Sequence, residues 1–113
     1  NHMATSYKIL GQAHLTTTSP TDVYTVPSAK ETIISTLVIA NITSSATTFD
    51  IAIREDGDTL ANKHYIAKEV PIAANDSTTL TLGVALEATD VVTCQAGTAD
   101  ALSFNLYGAE LDV

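Results

Sequence analysis

Three segments of the chain alternate apolar and polar residues with a period of two, and this pattern constrains the fold most. The segments run over residues 48–54, 79–84 and 101–107. Because successive side chains of a strand point to opposite faces, each segment is predicted to place one face in a core and one toward water. The residues predicted to point inward are Phe49, Ile51, Ile53, Leu80, Leu82, Leu102, Phe104 and Leu106.

Other segments are predicted to be strands because they are rich in β-branched and aromatic residues. These segments are Tyr7–Leu10, Val23–Val26, Ile33–Ile42, Lys63–Ala67 and Val91–Ala96. The segment Leu60–Val70 comes closest to a helical pattern but suits a strand equally well, and Pro71 is expected to close it. The pair Asp56-Gly57 favours a tight hairpin. No window of useful length has the apolar spacing of a helix, although a short helical turn over residues 60–62 fits the sequence.

These patterns predict an all-β fold, an antiparallel β-sandwich of the jelly-roll type with about seven to nine short strands. A length of 113 residues suits one domain. Residues 1–3, Asn-His-Met, are interpreted as a cloning remnant, and residues 4–113 as a single β-sandwich domain. The start of the chain has no signal-peptide pattern, and no stretch approaches the ~18 apolar residues of a transmembrane helix.

The charge balance argues against two classes of partner. The chain has 13 acidic and 5 basic residues, for a formal net charge of −8. The basic residues are scattered singly, as Lys8, Lys30, Arg54, Lys63 and Lys68. Because phosphate backbones and anionic lipids are bound by clustered Lys and Arg, neither nucleic acid nor a membrane is predicted as a partner.

The sequence predicts no catalytic, cofactor-binding or metal site. The two histidines outside the remnant, His14 and His64, are 50 residues apart and lack the neighbouring ligands of a zinc site. His64 is predicted to lie on a strand face, either exposed or hydrogen-bonded to a neighbour. The acidic turn Glu55-Asp56-Gly57-Asp58 is interpreted as a solvated hairpin tip, with a calcium-binding loop as the alternative.

Single motifs add little chemistry. Cys94 is the only cysteine and lies in an apolar run, which predicts a buried and unreactive thiol. The chain contains neither a nucleophile elbow nor a glycine-rich phosphate loop. The sequons that begin at Asn41 and Asn75 are interpreted as chance matches in a chain rich in Ser and Thr.

Eight stretches, spread over nearly the whole chain from Tyr7, carry a resemblance through their order and spacing. They are YKILGQ (7–12), DVYTVP (22–27), ISTLVIAN (34–41), ANKHYI (61–66), PIAAND (71–76), LTLG (80–83), ATDVV (88–92) and LSFNLYGAE (102–110). In these stretches the chain resembles small virion structural proteins of tailed phages, a family well represented in marine and cyanobacterial viruses. The resemblance implies a non-enzymatic component of the virion, either a capsid decoration or a tail or fibre part, and it supplies no site residues.

A structural role in a particle implies self-association and contact with another virion protein. A homotrimer is expected from the symmetry of phage fibres and capsid axes. Strand edges are the predicted route, and Tyr7–Leu10 and Leu106–Val113 are the predicted docking segments, unless they only complete the sandwich. Arg54, Lys63 and Lys68 are expected to set the register against acidic partner surfaces.

Two other functions stay open on the residues alone. One is a carbohydrate- or receptor-binding adhesin domain of a phage tail with a host glycan as ligand, although the chain lacks the Trp that sugar-binding faces favour. The other is a small enzyme such as a glycan hydrolase, which would need converging carboxylates that the sequence does not single out.

Overall fold

The computed structural model describes residues 5–113 and consists of eight strands and two short 3-10 turns. The strands are β1 (Thr5–His14), β2 (Thr21–Thr25), β3 (Lys30–Asn41), β4 (Thr47–Arg54), β5 (Tyr65–Ile72), β6 (Ser77–Leu86), β7 (Val91–Ala96) and β8 (Leu102–Asp112). The 3-10 turns, Glu55–Gly57 and Asn62–His64, both lie between β4 and β5. Within the described residues no helix has the length and apolar character that a membrane crossing requires.

The strands form two four-stranded sheets with the orders β1-β8-β3-β6 and β2-β7-β4-β5, and every pairing is antiparallel. Consecutive strands alternate between the sheets except where β4 leads to β5. Two facing four-stranded antiparallel sheets with these crossovers are the jelly-roll arrangement. The predicted all-β jelly-roll sandwich is therefore confirmed, with a strand count inside the expected range.

The core lies between the two sheets and is built by the alternating segments. Phe49, Ile51, Leu102, Phe104 and Leu106 are fully buried, as their alternation predicted. Three other predicted core residues, Ile53, Leu80 and Leu82, pack against the core but are only partly buried. Leu80 and Leu82 belong to β6, which has a neighbour on one side only, so their side chains stay partly open to solvent.

Strand β5 departs from the sequence prediction because it continues through Pro71 and ends at Ile72. Proline cannot donate a backbone hydrogen bond, so it is tolerated in a strand only where the missing N–H would face solvent. β5 is an edge strand that pairs with β4 alone, and this placement accommodates Pro71. The expectation that Pro71 closes the segment Leu60–Val70 was wrong, because the strand extends one residue beyond this proline.

The connection from β4 to β5 is not the tight hairpin that Asp56-Gly57 suggested. It spans residues 55–64, and both Asp56 and Gly57 adopt positive φ, at 54° and 67°. These left-handed conformations are not helical; they form a tight turn closed by the Asp58 N–H, which donates to the carbonyl oxygen of Glu55 at 2.9 Å, as an Asp-Gly pair favours. The chain that follows this turn does not return straight along β4, because residues 58–64 intervene before β5. The helical turn expected at residues 60–62 is present slightly later, at Asn62–His64.

The C-terminal segment Leu106–Val113 does not offer an edge to a partner. β8 lies between β1 and β3, so both of its backbone edges are hydrogen-bonded along most of its length. Gly108 allows this close pairing, because a Cβ atom there would overlap the carbonyl oxygen of Ile33 on β3. The segment therefore completes the sandwich, the alternative that the sequence left open.

The edge strands are irregular. β1 shifts register between Ile9 and Gly11, and β2 shifts between Asp22 and Tyr24. β5 shifts twice along its pairing with β4, and the pairing of β6 with β3 also contains a shift. Bulges of this kind bend an edge and interrupt the row of free backbone groups that another strand would need.

Candidate functional site

The acidic turn at residues 55–58 is occupied by contacts within the chain. Arg54 donates hydrogen bonds to the carbonyl oxygens of Gly57 and Asp58, at 3.1 and 2.7 Å. The backbone N–H of Asp56 donates to the Asp90 carboxylate at 2.8 Å. Lys63 beside Asp58 lowers the pKa of that exposed carboxyl group. These contacts hold the turn over one end of the sandwich.

His64 is buried, with 6% of its surface exposed, at the end of the second 3-10 turn. Its Nδ1 accepts a hydrogen bond from the backbone N–H of Ala61 at 2.9 Å. The neutral ring must therefore carry its proton on Nε2, which lies 3.5 Å from Oδ2 of Asp58 without a hydrogen bond. The prediction of a residue satisfied by a neighbour holds at Nδ1, whereas exposure on a strand face was wrong.

The two histidines lie at opposite ends of the sandwich. The exposed His14 ends β1, and its Nε2 lies 3.0 Å from the carbonyl oxygen of Asp100 in the turn before β8. Within residues 5–113, no group of three or more His, Cys, Asp and Glu side chains is arranged to hold a metal ion. Because Nδ1 of His64 is used as an acceptor, its Nε2 lone pair is also unavailable for a metal.

All five basic side chains are held by carboxylates of the same chain. Lys30 pairs with Asp112, and the other pairs are Lys8–Glu110 at 2.6 Å, Arg54–Asp22 at 2.8 Å, Lys63–Asp58 at 3.6 Å and Lys68–Asp50 at 3.2 Å. The expectation that Arg54, Lys63 and Lys68 serve a partner is therefore not supported by their contacts. The carboxylates left without a cation account for the strongly acidic surface.

A buried polar cluster connects the two sheets. The Tyr24 hydroxyl on β2 donates to Oε2 of Glu110 on β8 at 2.6 Å and lies 2.7 Å from Oγ1 of Thr32 on β3. Lys8 binds the other Glu110 oxygen, and the hydrogen bonds from Lys8 and Tyr24 lower the pKa of Glu110. Burial and the bond to Glu110 raise the pKa of Tyr24 to about 12. Every polar group of the cluster has a partner, so the cluster acts as a structural tie.

Two minor predictions concern single residues. Cys94 is fully buried, and burial raises the pKa of its thiol to about 12, which keeps it protonated at neutral pH. Asn41 is 2% exposed and its amide donates to the carbonyl oxygens of Ser45 and Ala73, at 2.9 and 3.1 Å. The amide of Asn41 is therefore used for hydrogen bonds inside the fold.

The outer face of the β1-β8-β3-β6 sheet is almost free of charge, and we call it the uncharged face. Register and burial place on it Thr5, Tyr7, Ile9, Gln12, His14, Glu31, Ile33, Ser35, Thr36, Val38, Ala40, Thr79, Thr81, Gly83, Ala85, Ser103, Asn105, Tyr107, Ala109 and Leu111. Glu31, the second residue of β3, is the one acidic residue of this set, and Glu87, which follows β6, lines a groove with it. By contrast, the outer side of the other sheet carries the ion pairs Arg54–Asp22 and Lys68–Asp50.

One end of the uncharged face is an apolar patch. Tyr7, Ala109 and Ile33 lie side by side on β1, β8 and β3, and Tyr7 and Ile33 are 85% and 46% exposed. The small side chain of Ala109 leaves a groove of about 280 Å³ between them, with Leu111 at its end. The depletion of charge and the exposed aromatic residue are features of protein interfaces. This face is the candidate functional site.

Sequence reasoning identified Tyr7 within a docking segment but missed the face as a whole. Its residues come from four strands that are distant in sequence, and each strand alone presents a mixture of small polar and apolar residues. The signal became visible only when the strand order placed the outward residues together.

Comparison with known proteins supports the fold. No protein-family model and no curated protein sequence matches the chain. A chain in the acid-stable capsid structure of Helicobacter pylori bacteriophage KHP30 matches with a TM-score of 0.54 and 10% identity, over 97% of this chain and 93% of that one. Chains of infectious bursal disease virus, strains Gx and Gt, match with TM-scores of 0.44 and 0.41 and identities of 10% and 8%. This chain spans 32% and 28% of their length. The likeness to the phage chain establishes a shared jelly-roll fold.

Proposed function

We propose that this protein is a structural component of a virus particle, most specifically of a tailed phage, and that it acts by assembly rather than catalysis. The observation that carries the proposal is the full-length match with a chain of the phage KHP30 capsid structure, which covers 97% of this chain and 93% of that one. A match at both ends means that a jelly roll of nearly this size, without large additions, is present in a capsid structure.

The surface supports the same function. The basic side chains are engaged within the chain, and the uncharged face leaves exposed apolar groups for another protein to cover. Monomeric soluble proteins rarely leave a contiguous apolar surface without a use. A role on the capsid as a decoration and a role in the tail or a fibre both require such a face.

The proposal is tested by locating the protein in purified particles of the virus or prophage that carries its gene. We expect its peptides in the particle proteome and labelling of particles by gold-conjugated antibody in electron microscopy. Labelling over the head would assign a decoration role, and labelling of the tail would assign a tail or fibre role. Its absence from purified particles, despite abundance in infected cells, would contradict the proposal. Saturable binding of a host glycan by the free domain, together with that absence, would favour the adhesin alternative.

A further inference from the structure

We propose that two copies of this chain pack face to face through the uncharged face, with the apolar patch of each copy covering that of the other across a two-fold axis. The inference rests on the proposed function, since it names the partner through which assembly begins. It replaces strand edges, the predicted route, with a sheet face, because all four edge strands lie beside register shifts. It also replaces the expected homotrimer, for which no described contact argues.

The distribution of charge on the chain indicates what kind of partner covers the face. With a net charge of −8, two copies repel each other wherever their carboxylates meet. Carboxylates lie in the turns at both ends of the sandwich, such as Glu87 and Asp90 at one end and Asp76 and Asp100 at the other. The uncharged face is the broad surface on which copies approach with the fewest like charges, and its carboxylates, Glu31 beside Ile33 and Glu87 beside Ala85, lie together at the apolar end. Away from these two carboxylates a basic partner would find nothing to bind on the face, whereas a second copy presents a surface of the same polarity.

Shape favours the same arrangement. The row Tyr7–Ala109–Ile33 forms two ridges with a groove between them, and the groove lies over Ala109 on β8. A two-fold axis that lies between the faces and runs along the strands sets β8 of one copy over β3 of the other. Ile33 of each copy then enters the groove of its partner, and Glu31 of each copy lies over Leu111 of the other, level with the second Glu31, so that this pair of carboxylates opposes the contact. Such self-complementary contact is what a two-fold interface requires, and aligned packing of sheets is a common geometry.

The area of the face is sufficient only if most of it is covered. Four strands about 4.8 Å apart and about ten residues long present roughly 650 Å² in projection, and the pleated accessible surface is larger. Stable interfaces bury about 800 Å² per partner. The polar half of the face, which includes Gln12 hydrogen-bonded to Asn105 at 2.6 Å, must therefore also lie in the contact, as a rim around the apolar patch.

The test is sedimentation equilibrium of the purified chain over a wide concentration range, with matched substitutions. Ile33→Lys places a charge in the patch, and Ile66→Lys places the same charge on β5 of the other sheet. The two residues are 46% and 47% exposed, so the variants differ in location rather than in burial. We expect a monomer–dimer equilibrium for the wild type. Ile33→Lys should weaken association by roughly tenfold or more, and Ile66→Lys should leave it unchanged.

A second variant keeps the test valid if Ile33→Lys fails to fold. Tyr7 is 85% exposed, so Tyr7→Lys should preserve the circular dichroism spectrum and melting temperature while weakening association in the same way. A wild-type chain that stays monomeric, forms a trimer, or associates equally well with lysine at Ile33 or Tyr7 would overturn the inference. A monomer that is nevertheless found in particles contradicts this inference alone. A dimer absent from particles contradicts the proposed function alone.

Discussion

The hydroxyl of Tyr24 on β2 donates a hydrogen bond of 2.6 Å to the carboxylate of Glu110 on β8, and this contact ties one sheet of the sandwich to the other. Lys8 on β1 binds the second oxygen of the same carboxylate at 2.6 Å. Tyr24 and Glu110 are 8% and 7% exposed. Burying a carboxylate costs free energy unless its oxygens are hydrogen-bonded or paired with a cation. The burial of Glu110 therefore depends on its contacts with Tyr24 and Lys8.

Removing the Tyr24 hydroxyl should therefore lower stability. Tyr24→Phe keeps the ring in the core but leaves one oxygen of a buried carboxylate unpaired, which should cost about 1–3 kcal/mol of unfolding free energy. Urea unfolding followed by circular dichroism measures the change. Tyr7→Phe is the matched control, because the Tyr7 side chain is 85% exposed and should lose almost nothing. Equal stability of the two variants would show that the Tyr24–Glu110 contact contributes no free energy.

The Tyr24 phenol should also make the stability of the protein depend on pH in the alkaline range. Below pH 10 the Tyr24 phenol is protonated in both the folded and the unfolded chain, so its contribution to the free energy of unfolding is fully present. Between the ordinary pKa of 10.0 and the folded pKa of about 12, the unfolded chain releases the proton more readily. The free energy of unfolding should then fall with rising pH. Urea midpoints measured from pH 9 to about pH 11.5 should decline more steeply in wild type than in Tyr24→Phe. Parallel declines would contradict the raised pKa of Tyr24.

Two glycines of the same sheet should respond oppositely to alanine. A Cβ at Gly108 would overlap the carbonyl oxygen of Ile33, so Gly108→Ala should disturb the pairing of β3 with β8 and cost about 1–3 kcal/mol or more. Gly83 on β6 has nothing within 4 Å of the same atom. Gly83→Ala should be neutral or stabilise by about 0.4–1 kcal/mol, because it restricts the unfolded chain. Thermal melts of both variants test the pair, and a destabilised Gly83→Ala beside a neutral Gly108→Ala would contradict the strand register.

The core should be most sensitive at its centre. Phe104 is fully buried on β8, so Phe104→Ala should cost about 3–5 kcal/mol through lost burial and the cavity left behind. Leu82→Ala on the edge strand β6 should cost less, because Leu82 is only partly buried. Denaturant unfolding of the two variants gives the comparison. A Phe104→Ala protein that melts within about a degree or two of wild type would show that the side chain is not part of the core.

Local patterns predicted the strands but not their neighbours. The alternation Leu102–Phe104–Leu106 was sufficient to predict a strand and its inward face, because side-chain direction in a strand depends only on position along the chain. The neighbours of that strand depend on the order of the sheet. That β8 lies between β1 and β3, and that β5 lies at an edge where Pro71 is tolerated, could not be read from any one segment.

The candidate site was less predictable than the fold for a related reason. Tyr7 and Ile33 are 26 positions apart in sequence and become neighbours only because β8 brings Ala109 between them. The burial of His64 likewise follows from a backbone turn at Ala61, a residue without a distinctive local signal. A function that depends on a surface assembled from separate strands leaves only a weak trace in the linear order of residues.

The irregular edges of the two sheets affect how readily copies of the protein aggregate at high local concentration. A particle component is present in many copies within a small volume, where straight edge strands would recruit one another into fibrils. The bulges along β1, β2 and β5, together with Pro71, deny such growth a continuous template. In the proposed role in a particle, these edges would favour contacts through sheet faces over edge-to-edge growth.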